Sequence, residues 1–498
     1  MTQDEYNTRA PHEGMSPGRY AATRFSSLKP PMHNVPNPIK LVRMLNSQQW
    51  AFFFVAFAAW TWDAFDFFSV SLTVTSLSKT FDKSKTDITW GITLVLMFRS
   101  VGSIAFGIAS DRYGRKWPFV VNNLLFIVLE LSLTKYQGTG FCQTYQQFLA
   151  CRALFGVAMG GLYGNAAATA LEDCPEEARG LMSGMLQQGY AFGYLLCAAF
   201  ARGLVDTTSH DWRPLFWFGA CPPVLFIIAR LMLPETQAYQ ERQHAREVAG
   251  ADGKGKVFIK EGKVALKHHW LLLVYLVLLM AGFNFMSHGS QDLYPTMLQN
   301  QLNFSKNKVT VTQVVANLGA MLGGTVVGFS SQSIGRRISI IACCIVGGAL
   351  LYPYTFVRDS SIIAAAFSNN SVSRERAFRT FVVGTSYQLG NLVSSASSTI
   401  EARLGENFPL PDNAEGQTRY DYGKVICIFM ACVYVYVIVL TFIGPENLRG
   451  KFDVAHDSDA REAMGDGAMD QAADHHGHYD EETGRISSEK PEVVHLRD

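Results

Sequence analysis

Nine cysteines occur in this 498-residue chain, but none sits in a paired or metal-like spacing. Most of them (Cys151, Cys197, Cys221, Cys343, Cys344, Cys427 and Cys432) lie inside apolar runs, where they read as small core residues rather than a disulfide frame or a metal site. Charge is scarce too. Only 17% of residues are Asp, Glu, Lys or Arg and the net charge is +1, which offers no basic surface to a nucleic acid and too few polar residues for an ordinary soluble enzyme. The N-terminus lacks an apolar h-region, so no cleaved signal peptide is expected and the first spanning helix must itself direct insertion. No nucleophile motif, metal spacing or nucleotide loop stands outside the apolar runs, so the reading is of a non-enzyme without metal or cofactor. Gly250-Ala-Asp-Gly-Lys-Gly-Lys has the glycines of a phosphate loop, but no Ser or Thr follows the lysine and no strand precedes it. His475, His476 and His478 fall in an acidic, Gly-rich tail that reads as a solvated disordered segment.

What the chain has instead is long apolar runs. Hydrophobic residues make up 48% of it, yet mean hydropathy over the whole chain is near neutral, because both ends are polar. Windows near 50–77, 88–109, 117–134, 148–170, 181–203 and 213–233 are each long enough to cross the ~30 Å of hydrocarbon. A polar segment with seven Lys or Arg between Arg242 and Lys267 follows, and windows resume near 270–298, 309–330, 338–357, 381–400 and 424–444. The expected organisation is a polar tail (1–49), a six-helix half (50–233), a linker (234–269), a second helical half (270–445) and a disordered tail (446–498). Lys40 and Arg43 precede the first span, and the clusters Arg112/Arg115/Lys116, Arg336/Arg337 and Arg374/Arg376/Arg379 fall between alternate windows. The positive-inside rule then puts the linker and both tails in the cytoplasm, provided the tenth segment spans.

An internal repeat supports two halves. Gly107-Ile-Ala-Ser-Asp-Arg-Tyr-Gly-Arg-Lys recurs as Gly328-Phe-Ser-Ser-Gln-Ser-Ile-Gly-Arg-Arg, from position 107 to 328, an offset of 221. Arg179, Gly184 and Gln188 recur as Arg379, Gly384 and Gln388, an offset of 200, and Pro234-Glu235 recurs as Pro445-Glu446, an offset of 211. The drop from 221 to 200 removes 21 residues, about one spanning helix, from the second half. What stands there is Ser360 to Phe378, in which only Ile362 to Phe367 is continuously apolar. A truncated tenth helix is one reading; a short or re-entrant segment is the other.

Asn284 to Thr296 (Asn-Phe-Met-Ser-His-Gly-Ser-Gln-Asp-Leu-Tyr-Pro-Thr) follows an apolar run that carries it to membrane depth. At about 100° per residue Asn284, His288 and Gln291 lie within about 60° of one another, and Asp292 lies beside His288. An ionisable pair at that depth faces a cavity or bundle interior and marks a substrate or proton path by default; the alternative is a polar stripe gluing two helices. Two such halves joined by a cytoplasmic loop are the arrangement of a secondary transporter with its site between them near midplane.

The Gly107–Lys116 loop resembles the signature of the major facilitator superfamily, as do Arg152-x-x-x-Gly156-x-x-x-Gly160, Gly189-x-x-x-Gly193 and Pro234-Glu235-Thr236. Asn-x-x-Ser-His-x-Ser-Gln-Asp-x-x-x-Thr at 284–296 matches, at every fixed position, the seventh-helix signature of the fungal Jen-type lactate and pyruvate permeases, in the sialate:proton symporter branch. The resemblance covers roughly residues 40–450 and departs at the tenth helix. It implies an all-α membrane protein of the major facilitator fold, with two six-helix halves, that carries a short monocarboxylate together with a proton across the plasma membrane. A dicarboxylate permease and a non-transporting sensor or inactive splice variant are the rivals.

For such a substrate the expected anchor is Arg99, about eleven residues into the second window and so near midplane, whose planar fork suits a carboxylate. Its other reading is a permanent partner for Asp63 or Asp66, either of which could carry a proton. Asn284 and Gln291 can donate amide hydrogens to the anion, and Gln388 and Asn391, whose lining of the path agrees with what the resemblance implies, would do so from the opposite wall. A packing hydrogen bond is the plainer role for each. His288 and Asp292, at i and i+4, are the expected proton-coupling pair. Arg152 either pairs with Glu130 or takes part in proton coupling, a role that the superfamily often gives that position. Asp111, Arg115, Glu172 and Arg179, at cytoplasmic helix ends, are expected to gate, and Gln332 replaces the acidic residue in the repeated loop. Asn303-Phe-Ser305 fits glycosylation on an external loop. Lys490 and the tail serines are candidate modification sites, through which ubiquitination machinery would act.

Overall fold

The computed structural model describes residues 37–133, 144–205, 207, 209–248, 254–357, 382–411 and 419–444, with single positions between 18 and 28 and short pieces at 479–480 and 485–486. Apolar runs become helices because a backbone in hydrocarbon must satisfy its own hydrogen bonds. A short α1 (Pro38–Arg43) leads into α2 (Ser47–Phe81), α3 (Lys85–Tyr113), α4 (Lys116–Leu133), α5 (Tyr145–Leu171), α6 (Glu176–Leu204) and the pair α7 (Arg213–Gly219) and α8 (Pro222–Met232). After α9 (Gln237–Val248) come α10 (Lys254–Gln291), α11 (Tyr294–Asn300), α12 (Lys306–Ile334), α13 (Arg336–Phe356), α14 (Val382–Ser394), α15 (Ser397–Gly405) and α16 (Tyr422–Ile443). The strands are two-residue pairs, β1 (Pro409–Leu410) antiparallel to β2 (Arg419–Tyr420) and β3 (Tyr479–Asp480) antiparallel to β4 (Arg485–Ile486).

Nine segments among the described residues are long and apolar enough to cross a bilayer. Three of the expected windows are interrupted. Pro222-Pro223 opens α8 and Pro295 opens α11, where a missing N–H costs nothing in a first turn; the third break, at Ser395–Ala396, separates α14 from α15. The Ser360–Phe378 segment and the Arg374/Arg376/Arg379 cluster lie outside the described residues, as do most of both tails, including His475, His476, His478 and Lys490.

Two compact units divide the chain: Met1–Thr236 with Leu271–Arg449, and Gln237–Trp270 with Gly450–Asp498. The second holds α9, the first turns of α10 and the β3–β4 pair. The first is the helical bundle, and its surface inverts that of a soluble protein. Val121, Leu124, Val128 and Leu131 on α4, and Leu318, Leu322 and Val326 on α12, point outward at helical spacing, while Asp63, Arg99, Asn284 and His288 are buried. One apolar core is drawn from α2 to α7 with Tyr387 of α14, a second from α10 to α16, and a smaller one from α1, α2, α5 and α6. The halves meet where α3 packs on α14 and α15, α6 on α12, and α11 on α2.

The internal repeat has a structural cause. Gly114 and Gly335 end α3 and α12 with φ of 89° and 104°, which a side chain would strain. The basic residue two positions on then caps the last helix of its own half. Lys116 Nζ donates to the Leu231 and Leu233 carbonyls at 2.7 and 3.1 Å, and Arg337 donates to those of Thr441 and Phe442 at 3.0 and 2.5 Å. Glu235 accepts from the Lys116 backbone N–H at 3.0 Å, which gives the Pro-Glu pair its role as a brace at the start of α4.

The Gly156–Gly160 stripe sets the depth of the site. A Cβ on Gly160 would collide with the Arg99 carbonyl oxygen, so α3 and α5 touch backbone to backbone at that level. Gly160→Val is therefore expected to force them apart and cost about 1–3 kcal/mol or more. Surface abundance and thermal stability in detergent should both fall well below wild type, with a milder effect from Gly180→Val, which has open space.

Candidate functional site

Arg99 occupies the middle of α3 with its side chain fully buried, where an unpaired cation would be costly. One guanidinium nitrogen, Nη2, meets Asp63 Oδ2 of α2 at 2.7 Å. The other two, Nε and Nη1, have no hydrogen-bond partner among the described residues, nor has Asp63 Oδ1. The fork is thus half used. Around it stands an aromatic wall. The guanidinium carbon is 5.8 Å from the Trp60 ring centroid, and the Tyr190 and Tyr387 hydroxyls are within electrostatic reach. Trp60 packs on Tyr163 (4.6 Å between centroids) and Tyr190 (5.7 Å), and Tyr163 on Tyr387 (5.5 Å). The indole Nε1 of Trp60 also lacks a partner among the described residues.

The second half supplies amides. Ser100 on α3 donates to the Gln388 carbonyl at 2.7 Å, tying α14 to the helix that carries Arg99. Asn391 Nδ2 donates to Gln388 Oε1 at 3.2 Å, and Asn284 Nδ2 on α10 to the Tyr387 carbonyl at 3.3 Å. Gln388 Nε2, Asn284 Oδ1 and Asn391 Oδ1 have no partner among the described residues. Buried polar atoms left open are rare. Here they come from both halves, two guanidinium nitrogens among them, though others stand open at Asn122 and Arg152. Gln291 is buried, and its backbone carbonyl accepts from Tyr194 at 3.4 Å.

His288 faces inward. Its Nδ1 lies 3.3 Å from Asp292 Oδ2, with both side chains almost wholly buried, and its ring meets Phe67 of α2 edge-on at 5.5 Å. Asp292 still completes the last turn of α10 through its N–H on the His288 carbonyl at 3.0 Å, before Pro295 starts α11. The carbonyls left by that stop are taken up by tyrosines, Ser290 by Tyr354 at 2.6 Å and Gln291 by Tyr194.

The two aspartates of α2 part company. Asp63 takes Arg99, whereas Asp66 turns to a second buried charge cluster with Glu130 and Arg152, with Oδ1 against Gly219. Arg152 lies 4.7 Å from the Phe155 ring, within charge range of both acids. Of the expected gating residues, Arg115 and Glu172 form an ion pair at 2.9 Å within the first half, and Thr236, at the start of the linker, donates to Glu172 at 3.2 Å. Arg179 donates instead to the Cys174 carbonyl at 3.4 Å, and the side chains of Asp111 and Gln332 lie outside the described residues.

Sequence reasoning missed the aromatic wall and Glu401. Tyr163 follows Gly160 by three positions and Tyr190 adjoins Gly189, so an aromatic on a glycine stripe was the available signal. Glu401 falls one residue past the 381–400 window, so extending that window by a turn would have taken it in.

The sequence profile of the sugar (and other) transporter family matches residues 45–367. The chain belongs to that family. A relative from Saccharomyces cerevisiae described as a carboxylic acid transporter protein homolog is 38% identical over 463 residues, covering 86% of this chain and 74% of its own. A cis,cis-muconate transport protein of Acinetobacter baylyi is 25% identical, covering 70% of this chain and 86% of its own. Among solved structures, the xylose transporter XylE from E. coli, in a partially occluded inward-open conformation, aligns with a TM-score of 0.52 at 14% identity, over 84% of this chain and 97% of that one. The all-α major facilitator fold expected from the sequence is the fold found, and this family member is a multi-pass membrane transporter rather than an enzyme.

Proposed function

We propose that the chain is a proton-coupled symporter of short-chain monocarboxylates such as lactate and pyruvate, working by alternating access at the plasma membrane with both termini cytoplasmic. The observation that carries this reading is the half-used Arg99 fork: a buried guanidinium already neutralised by Asp63, with two free donors opposite open amides from the other half. A carboxylate can accept from one of those donors while Nη2 stays on Asp63. Trp60 Nε1 and the Asn284 and Gln388 amides can then read a hydroxyl or keto group beside it. His288 and Asp292, on the discontinuous seventh span, take the proton. Carried together, anion and proton cross as a neutral pair, which avoids dragging a bare charge through the bundle. The carboxylic acid carrier named among the relatives supports the substrate class.

Labelled lactate uptake in a permease-null yeast tests the reading. Uptake is expected to be saturable, abolished by a protonophore, and little affected by excess succinate. Protonophore-insensitive uptake would remove symport, and strong competition by succinate would move the substrate to the dicarboxylates, the chemistry named for the muconate carrier.

A further inference from the structure

Glu401, on α15, is wholly buried, and neither of its carboxylate oxygens has a hydrogen-bond partner among the described residues. It lies against the turn of α10 that carries the ion pair. A Cβ built on Gly289 would be 2.9 Å from Glu401 Oε1, and the charge of Asp292 acts on it directly. Among the described residues, the other packed elements bring no counter-charge to it. From α16 come Phe429, beside Gly289, and Tyr422, against Gly405, while Lys424 of that helix sits over the Phe408 ring at 4.3 Å. From α3 come Thr89 and Thr93, both on Thr399 at 3.2 and 2.7 Å, and Thr86, on Glu406 at 2.7 Å. Arg403, two residues on, is turned to Glu406 at 3.7 Å.

Two carboxyl groups and one imidazole, buried together with no fixed cation among the described residues, cannot all stand deprotonated, so a proton must be held among them. We infer that Glu401 is the third member of the proton-handling site, passing protons between the α15 end of the bundle and the His288–Asp292 pair. The inference rests on the symport reading, in whose orientation that end is external. The transfer balances: the O–H bond of the Glu401 acid breaks as one forms on the Asp292 carboxylate, and the summed charge of the two carboxyl groups does not change. A side chain at Gly289 would run into the Phe429 ring and then Glu401 Oε1, so only glycine lets α15 and α16 come this close to the turn before Asp292. Glu401 touches no substrate in this arrangement and acts on transport only through the pair.

The test uses the full-length chain in proteoliposomes with lactate. Two readouts are compared: accumulation driven by a pH gradient, which needs net proton movement, and counterflow exchange, which does not. Under a one-unit gradient the wild type is expected to accumulate lactate about tenfold, the limit for one proton per anion. Glu401→Gln should fall to near equal concentrations inside and out while keeping counterflow within about twofold, and Glu401→Asp should restore part of the accumulation. Wild-type accumulation in Glu401→Gln overturns the inference. So does equal loss of both readouts at normal protein yield, repeated in Glu401→Asp, because that marks a structural role. A wild type that exchanges lactate but never accumulates it removes the symport reading instead, and this inference with it.

Discussion

Arg99→Lys is expected to lower kcat/KM for lactate uptake by roughly 10- to 150-fold, the loss of about 1.5–3 kcal/mol for one charge-assisted contact. Lysine keeps the charge and can hold Asp63, but its ammonium cannot present the separated donors with which the planar guanidinium bridges Asp63 and the anion. The effect should appear mainly in KM for a group that binds anion in the ground state. Arg99→Ala goes further. It leaves Asp63 buried without its partner at 2.7 Å, a change that costs about 3–5 kcal/mol in buried pairs, so both uptake and surface abundance should fall. The double variant Arg99→Ala/Asp63→Ala separates the two causes. Removing both charges should return abundance toward wild type and leave uptake at background. Recovery of uptake in the double variant would show that Arg99 serves only Asp63.

His288→Gln should uncouple transport. In a one-unit pH gradient the wild type is expected to approach tenfold accumulation, since one pH unit is worth about 1.4 kcal/mol per proton. The variant should settle near equal concentrations, because an amide of similar size can hydrogen-bond Asp292 but cannot take up a proton. Lactate-induced alkalinisation of the medium should vanish with it, while exchange persists. Asp292→Asn is expected to do the same through the other partner, 3.3 Å away. Intact alkalinisation in both variants would place the proton elsewhere, and the Asp66–Glu130–Arg152 cluster would be the next place to look. Glu401 is then tested on the same scale, so its contribution can be ranked against that of the pair.

Much of this arrangement could be read before any coordinates. Runs of about 20 apolar residues have few ways to exist other than as spanning helices, and positions at i and i+4 share a face, so His288 and Asp292 were bound to meet. The repeated loop announced two halves because each half needs its own brace at the same bend, with Gly114 and Gly335 turning the chain and Lys116 and Arg337 closing it. Asp63 and Asp66 were a different matter. Three positions apart, they diverge by about 60° around α2, and which one meets Arg99 depends on where α3 crosses rather than on anything local.

The aromatic wall was beyond reach for a similar reason. With 34 Phe, 19 Tyr and 8 Trp in the chain, residue type alone could not single out Trp60, Tyr163, Tyr190 and Tyr387, which come from four helices. Glu401 looked like a helix-end carboxylate, and only the close approach at Gly289 places it beside Asp292. By itself the sequence determined where the apolar segments lie, which residues share a helix face and the chemistry at membrane depth, because hydrocarbon imposes length and periodicity locally. Only the tertiary structure decided which buried charges are paired and which donors stay open, because partners far apart in sequence are chosen by where glycine lets backbones touch.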